Sequence, residues 1–316
     1  MGKMAMDRSQ SAYVDTSLQD ELARGNRALA SIAPVIAHFL NDNGPSLITD
    51  AIVAQLRGML NHIAQQLLPK SETASKGYSE NLAEIMARLT NDVPLIEHLY
   101  AVALEGQITE SLEQRAAVDP VLSPLMQELI ASTRPETAEL AMTALSSQAR
   151  FCQSQRRMEL PLGELPYEIF SSVLHHLEEF KPGVDPLNAA AKLQEGFDEG
   201  ASRLGLMARL CANLQGGAIA ALDLGHAGFA LFSSAAASLT QQDRAAVVFA
   251  CHEGQAARLA LTLRTAGLNA DAIDAQLGVL GSRTALSPGI ASIAALPQES
   301  AFDTLRTMGR TLGNDS

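Results

Sequence analysis

The chain of 316 residues is poor in aromatic side chains and contains no tryptophan. Aromatic residues make up 4% of it, so a folded core must be built mainly from alanine, leucine and other aliphatic side chains. Such residues favour helices, whereas strands are enriched in aromatic and β-branched residues. The composition therefore predicts closely packed helices rather than a sheet.

Motifs for nucleotide binding and for covalent catalysis are absent. There is no G-x-G-x-x-G fingerprint, no phosphate-binding G-x-x-x-x-G-K-[ST] loop and no G-x-S-x-G nucleophile turn. Cys152, Cys211 and Cys251 lie far apart and form no C-x-x-C pair, which is the usual spacing of a zinc site. We expect three buried, reduced thiols, no cofactor and no metal ion.

Long apolar runs are missing as well. The N-terminus has no apolar h-region, which argues against a cleaved signal peptide. The longest stretch of low charge, Gly216–Leu239, contains Asp223 and His226 and is interrupted by glycines. We interpret this stretch as buried core rather than a membrane span, and we expect a cytoplasmic protein without membrane contact.

Positive charge is scarce throughout the chain. The formal net charge is −12, and a field of that sign repels nucleic-acid phosphates. The acidic background reverses only in Gln148–Pro166, which has three arginines against two glutamates. Because three arginines make a small patch, we expect no nucleic-acid partner.

Apolar residues recur at spacings of three and four along most of the chain, and no segment alternates with period two over a useful length. We predict an all-α fold, an irregular array of about a dozen helices in HEAT-like antiparallel pairs without a sheet. The predicted segments are a loose tail over 1–16, a helical hairpin and linker over 17–77, an array of short helices over 78–160 and an Ala/Gly-rich helical half over 161–316.

Some helix ends are predicted from single residues. Asp92 should cap a helix that Gly106 ends, and Asp119-Pro120 should begin another. The pattern from Thr240 to Asp243 resembles a capping box, and we expect it to open a helix that runs to about His252.

The stretch Gln148–Pro166 is the strongest candidate for a functional surface. Phe151 and Met158 share one stripe of the predicted helix and should seat it, while arginine and glutamine side chains face outward or toward a partner. The predicted interaction residues are Arg150, Gln153, Arg156 and Arg157. The stretch is interpreted as a joint between two helical layers, with docking of a partner as the extension of that idea.

Asp223 and His226 are the candidate residues for a ligand pocket. They lie three residues apart in the apolar stretch, and we expect a hydrogen-bonded pair inside the core. If the pair lines an enclosed cavity, it is the best place for a small molecule or for helical-enzyme chemistry.

The remaining histidines suggest weaker alternatives. His38 and His62 lie on apolar helices of the 18–68 region, where an exposed histidine would favour a phosphotransfer or signalling dimer. His175 and His176 lie beside Glu178 and Glu179, which we interpret as a solvated helix end, with metal binding as the alternative.

Two segments resemble alphaproteobacterial, all-helical proteins of unknown function that are described as helical-repeat-like. They are QARFCQSQRRMELPLGELP at 148–166 and AARLALTLRTAGLNADAIDAQL at 256–277. The resemblance implies a bacterial cytoplasmic protein and brings no catalytic residues with it.

These observations favour a non-enzymatic interaction or regulatory protein that binds another protein along its helical surface, with a homodimer as one form of that binding. The alternatives are a small-molecule binder or helical enzyme at Asp223 and His226, and a phosphotransfer or signalling dimer.

Overall fold

A computed structural model describes most of the chain, and its secondary structure is α-helical. The described residues are 19–20, 22–28, 30–31, 35, 50–68, 77–180, 186–214, 217–252, 255–281 and 288–313. No strand occurs among them, so the predicted all-α fold is confirmed. None of the helices in these ranges is long and apolar enough to cross a membrane.

The helices after residue 49 are numbered here in chain order. They are α1 Asp50–Leu67, α2 Tyr78–Thr90, α3 Val93–Ala116, α4 Pro124–Ile130, α5 Pro135–Arg156, α6 Tyr167–Glu178, α7 Pro186–Glu195, α8 Arg203–Ala212, α9 Leu224–Thr240, α10 Arg244–Ala250, α11 Ala256–Thr265, α12 Ala270–Val279, α13 Pro288–Ala294 and α14 Gln298–Gly313. Short 3₁₀ turns occur at Leu162–Glu164, Glu199–Ala201 and Ala218–Leu222.

The contacts divide the chain into two compact units, each discontinuous in sequence. Unit 1 comprises the described residues of 1–31, 107–128 and 211–316, and unit 2 comprises those of 32–106 and 129–210. The stretch 148–166 lies wholly within unit 2, so the chain does not pass between the two units there. The segment boundaries predicted near residues 77 and 160 remain predictions.

Unit 2 has a core of aliphatic and phenylalanine side chains. The amphipathic α1 turns Leu56, Met59, Leu60 and Ile63 inward, because apolar residues at spacings of three and four share one helix face. This helix packs against α2, which in turn packs against α6. Phe170 of α6 is buried in the same cluster.

Unit 1 is organised around α11. This helix packs against α9, α10, α12, α13 and α14. Most of its residues are buried, so it is enclosed on nearly all sides. Asn269 caps the following helix, as its side chain accepts a hydrogen bond from Ala272 N at 2.9 Å. Helices α11 and α12 are therefore consecutive helices that pack against each other.

Two predicted helix ends in the first half are wrong. Gly106 does not end a helix, because it lies inside α3, which is 24 residues long and ends at Ala116. Tertiary burial outweighs the intrinsic cost of one glycine in a helix, which is about 1 kcal/mol. Asp119 caps a turn by accepting from the backbone of Val121 and Leu122, and α4 begins only at Pro124.

The predicted capping box at Thr240 is also wrong. Thr240 is the last residue of α9, and its hydroxyl donates to Ala236 O at 2.7 Å. The next helix begins after Asp243. Inside α9, Gly228 adopts φ +72°, a left-handed conformation that kinks the helix and that residues with a Cβ rarely adopt.

We predict that Gly205→Ala destabilises the protein by about 1–3 kcal/mol, because overpacking a tight backbone contact costs that much. A Cβ at residue 205 would contact the backbone carbonyl of Glu199 and lie 3.0 Å from Gly200 Cα. Urea denaturation measures the change. Gly163→Ala is the control, since no atom lies within 4 Å of its added Cβ. Equal stability of the two variants would contradict the prediction.

Candidate interaction surface

The candidate surface is carried by α5, whose two ends follow from local sequence. Pro135 occupies the first turn, where its missing N–H costs nothing. The helix ends at Arg156, and the backbone N–H of Met158 donates to Gln155 O at 3.0 Å. Met158 itself has φ +56°, so the helix cannot continue.

The inner face of α5 lies against a buried ion pair of unit 2. Arg203 Nη1 and Nη2 donate to the two carboxylate oxygens of Glu105 at 2.8 and 3.1 Å, and both side chains are 2% exposed. Gln148 of α5 accepts a further bond from Arg203 Nη1 at 3.3 Å. The guanidinium carbon also lies 3.6 Å from the centroid of the Phe151 ring, a cation–π distance.

A second set of polar contacts seats the end of α5 on α1. Gln55 Nε2 donates to Gln155 Oε1 at 2.8 Å, and Gln155 Nε2 lies 3.7 Å from the Met59 sulfur. Phe151 is buried, as predicted. Met158 lies beyond the helix end and is 42% exposed, although its backbone lies against Gly58 of α1. Gln55 and Gln155 supply the hydrogen bond between α1 and this end of α5.

The outer face of α5 presents the four predicted interaction residues. Arg150, Gln153, Arg156 and Arg157 are all exposed. In the described part of the chain, Arg156 and Arg157 make no hydrogen bond or ion pair through their side chains. Burial raises the pKa of the Glu164 carboxyl, and this rise is opposed by the backbone N–H and charge of Arg203 and by the charge of Arg150. Met142 on the same helix is 50% exposed.

Asp223 and His226 do not form a buried pair. The exposed Asp223 carboxylate caps α9 by accepting from the backbone N–H of Gly225 at 3.1 Å and His226 at 3.3 Å. The half-buried ring of His226 contacts Glu128 instead, with Nε2 and Oε1 3.0 Å apart. The expectation of a pair inside the core is wrong, since a helix cap satisfies the carboxylate at the surface. This arrangement lends no support to a ligand pocket there.

His62 is half-buried, and its ring is engaged. Nδ1 lies 2.9 Å from Leu160 O and 3.0 Å from Gln66 Nε2. The space above Gly58 is occupied by Met158, whose carbonyl oxygen would lie 2.8 Å from an added Cβ. No specific observation therefore favours phosphotransfer at His62, and His38 lies outside the described residues.

The paired histidines of α6 have different roles. His175 is exposed. Its Nδ1 lies 3.8 Å from Glu178 Oε2, and its Nε2 lies 3.4 Å from Glu179 Oε1. His176 lies 3.0 Å from the buried carboxylate of Asp92, which also accepts a bond from Ser172 at 2.6 Å. Asp92 caps α3 as predicted, through Leu95 N at 3.0 Å. Only His175 fits the predicted solvated end.

A groove of about 270 Å³ lies beside His175 in unit 2. Its lining residues are Tyr167, Phe170, Ser171, Ser172, Leu174, His175, Glu178 and Gln194. Within the described ranges, no group of three or more histidine, cysteine or acidic side chains is placed to hold a metal ion. The side chains of the described residues therefore give no support to the metal alternative for His175 to Glu179.

Comparisons with protein-family models, curated proteins and solved structures found no match to this chain. The resemblance to alphaproteobacterial helical proteins thus stays an expectation from the sequence.

We predict that Arg203→Met and Glu105→Gln each lower the free energy of unfolding by about 3 kcal/mol, because each leaves a buried group of the pair without its partner. The double variant Glu105→Gln/Arg203→Met should lose less than the two single losses combined, since neither charge is then left buried. Arg209→Met is the control, as Arg209 is exposed. Strictly additive losses in urea denaturation would show that the pair is not coupled.

The three thiols should differ in reactivity. Cys211 and Cys251 are buried, and burial raises the pKa of each to about 12, which suppresses the reactive thiolate. Cys152 is half-buried, and burial raises its pKa as well. We expect iodoacetamide at pH 8 to label Cys152 first in the folded protein and all three in denaturant, as mass spectrometry would show. Earlier labelling of Cys251 would contradict this order.

Proposed function

We propose that the chain is a non-enzymatic interaction or regulatory protein of the cytoplasm that binds another protein through the outer face of α5. The supporting observation is the exposed set Arg150, Gln153, Arg156 and Arg157 on a helix whose inner face is held by the Arg203–Glu105 pair. A helix whose inner face is fixed by buried contacts suits a docking surface, because little conformational entropy is lost when the partner binds.

The chemistry of the face indicates the kind of partner. Guanidinium groups bind carboxylates through parallel hydrogen bonds, so the complementary surface should be acidic. Met142 and Met158 add flexible apolar contact beside the arginines. Methionine and arginine are both enriched at protein–protein interfaces, whereas lysine and glutamate are depleted.

The test is quantitative capture from the native host with three forms of the protein. They are the wild type, the variant Arg150→Glu/Arg156→Glu/Arg157→Glu, and the control Arg24→Glu/Arg27→Glu/Arg306→Glu. The control replaces three exposed arginines of unit 1, so both variants change the net charge equally. Circular dichroism verifies that each variant is folded.

We expect a partner that wild type and control retain and that the α5 variant loses, with affinity falling as salt rises. The purified partner, or a second copy of this chain if capture returns only that, is then titrated by calorimetry. Equal binding by the α5 variant and the control would overturn the proposal. Saturable turnover that is abolished by changing Asp223 or His226 would overturn its non-enzymatic part.

A further inference from the structure

The guanidinium of Arg258 in unit 1 is buried, although it has no counter-charge among the described residues. Arg258 is 4% exposed and lies in the first turn of α11, the helix that the rest of unit 1 surrounds. Its Nε and Nη2 atoms are buried and have no hydrogen-bond partner. No described carboxylate forms an ion pair with it.

An unpaired buried cation is costly, because its charged form loses the solvation that water provides. Burial lowers the pKa of the Arg258 guanidinium. Removing an ion from water costs several kcal/mol even after the protein relaxes, and buried charges are ordinarily paired. A group that could supply the missing charge would therefore stabilise this part of the protein.

The two unsatisfied nitrogens indicate the shape of that group. Nε and Nη2 form one edge of the guanidinium plane, where two N–H bonds point in parallel. This fork matches the spacing of two oxygens on one carboxylate or phosphate group. Arg203 lacks a partner only at Nε, because its other two nitrogens are bound to Glu105.

The face of α11 that carries Arg258 also carries two buried threonines, one of which has no hydrogen-bond partner. Thr262 and Thr265 follow it at spacings of four and seven, so the three residues share one face of the helix. Both threonines are buried. Thr262 accepts a hydrogen bond from Gln242 at 3.3 Å, whereas the hydroxyl of Thr265 has no partner.

The helix terminus favours the same kind of ligand. Gln255 precedes α11 and provides no side-chain cap for its first turn. Unsatisfied N–H groups and the helix dipole attract negative charge to such an end. Arg258 belongs to this first turn, so its guanidinium and the first-turn N–H groups are carried by the same end of the helix.

We propose that the Nε–Nη2 edge of Arg258, together with the first turn of α11, binds a small oxyanion through a carboxylate or phosphate group. The ligand would supply the charge and the two acceptors that the described side chains do not provide. This inference is independent of the docking surface on α5.

The test measures the thermal midpoint and calorimetric affinity in sodium phosphate, sodium acetate and sodium chloride at matched ionic strength. We expect phosphate or acetate, but not chloride, to raise the midpoint of the wild type, since a ligand of the folded state stabilises it by mass action. Arg258→Met should abolish that rise. Arg306→Met, which removes an exposed arginine of the same unit, should retain it.

Two further variants keep the test decisive. Arg258→Lys retains the charge and removes the fork, and its affinity should fall about tenfold or more, which corresponds to one lost charge-assisted hydrogen bond. Glu253 is the acidic residue nearest to Arg258 in sequence. Glu253→Gln should leave oxyanion affinity equal to or above that of the wild type.

Three results would overturn the proposal. The first is an equal response of wild type and Arg258→Met to phosphate or acetate, which would place the anion elsewhere. The second is no response of the wild type to either anion. The third is anion binding that arises only in Glu253→Gln, because Glu253 would then be the natural counter-ion of Arg258.

Discussion

The architecture of unit 2 depends on the buried pair of Arg203 and Glu105. The pair joins the start of α8 to α3, and Gln148 and Phe151 bring α5 onto the same guanidinium. The backbone N–H of Arg203 also donates to Glu164 at 2.9 Å, which adds the turn after α5. Because a buried charge without its partner is costly, the pair favours the arrangement of these helices that keeps Arg203 and Glu105 together.

The same pair determines what α5 can offer to a partner. Its inner face is committed to Arg203, Gln55 and Met59, so the opposite face must face outward. The exposed arginines are carried on a helix whose buried face is held through Gln148 and Phe151 and, near its C-terminal end, through Gln155. A surface of this kind is preorganised, which distinguishes it from the same residues on a loosely packed helix.

Arg203 and Arg258 show two outcomes for a buried guanidinium. Arg203 finds a carboxylate, an amide and an aromatic face within its own unit. Arg258 lies on a helix that is more completely enclosed, yet two of its nitrogens have no acceptor. The difference between the two arginines is what separates a structural ion pair from a candidate ligand site.

The helical class and one helix start followed from local pattern. Apolar spacing predicted the all-α class, and Asp92 caps α3 as predicted. Exposure of Arg150, Gln153, Arg156 and Arg157 also agreed with the pattern, since an amphipathic helix buries only one stripe. The predicted helix end at Gly106 was wrong because the packing of α3 outweighs the low helix propensity of glycine. The predicted pairing of Asp223 with His226 was wrong because Asp223 accepts hydrogen bonds from the nearby backbone instead.

The sequence alone determined the helical class, the acidic character and the outward-facing residues of α5, because composition and periodicity act over a few neighbouring residues. Only the tertiary structure decided that Arg203 pairs with Glu105, while Nε and Nη2 of Arg258 have no partner among the described residues. Both arginines stand in similar alanine- and leucine-rich helices. Their difference depends on residues about a hundred positions away, and such long-range pairing leaves no periodic signal in the chain.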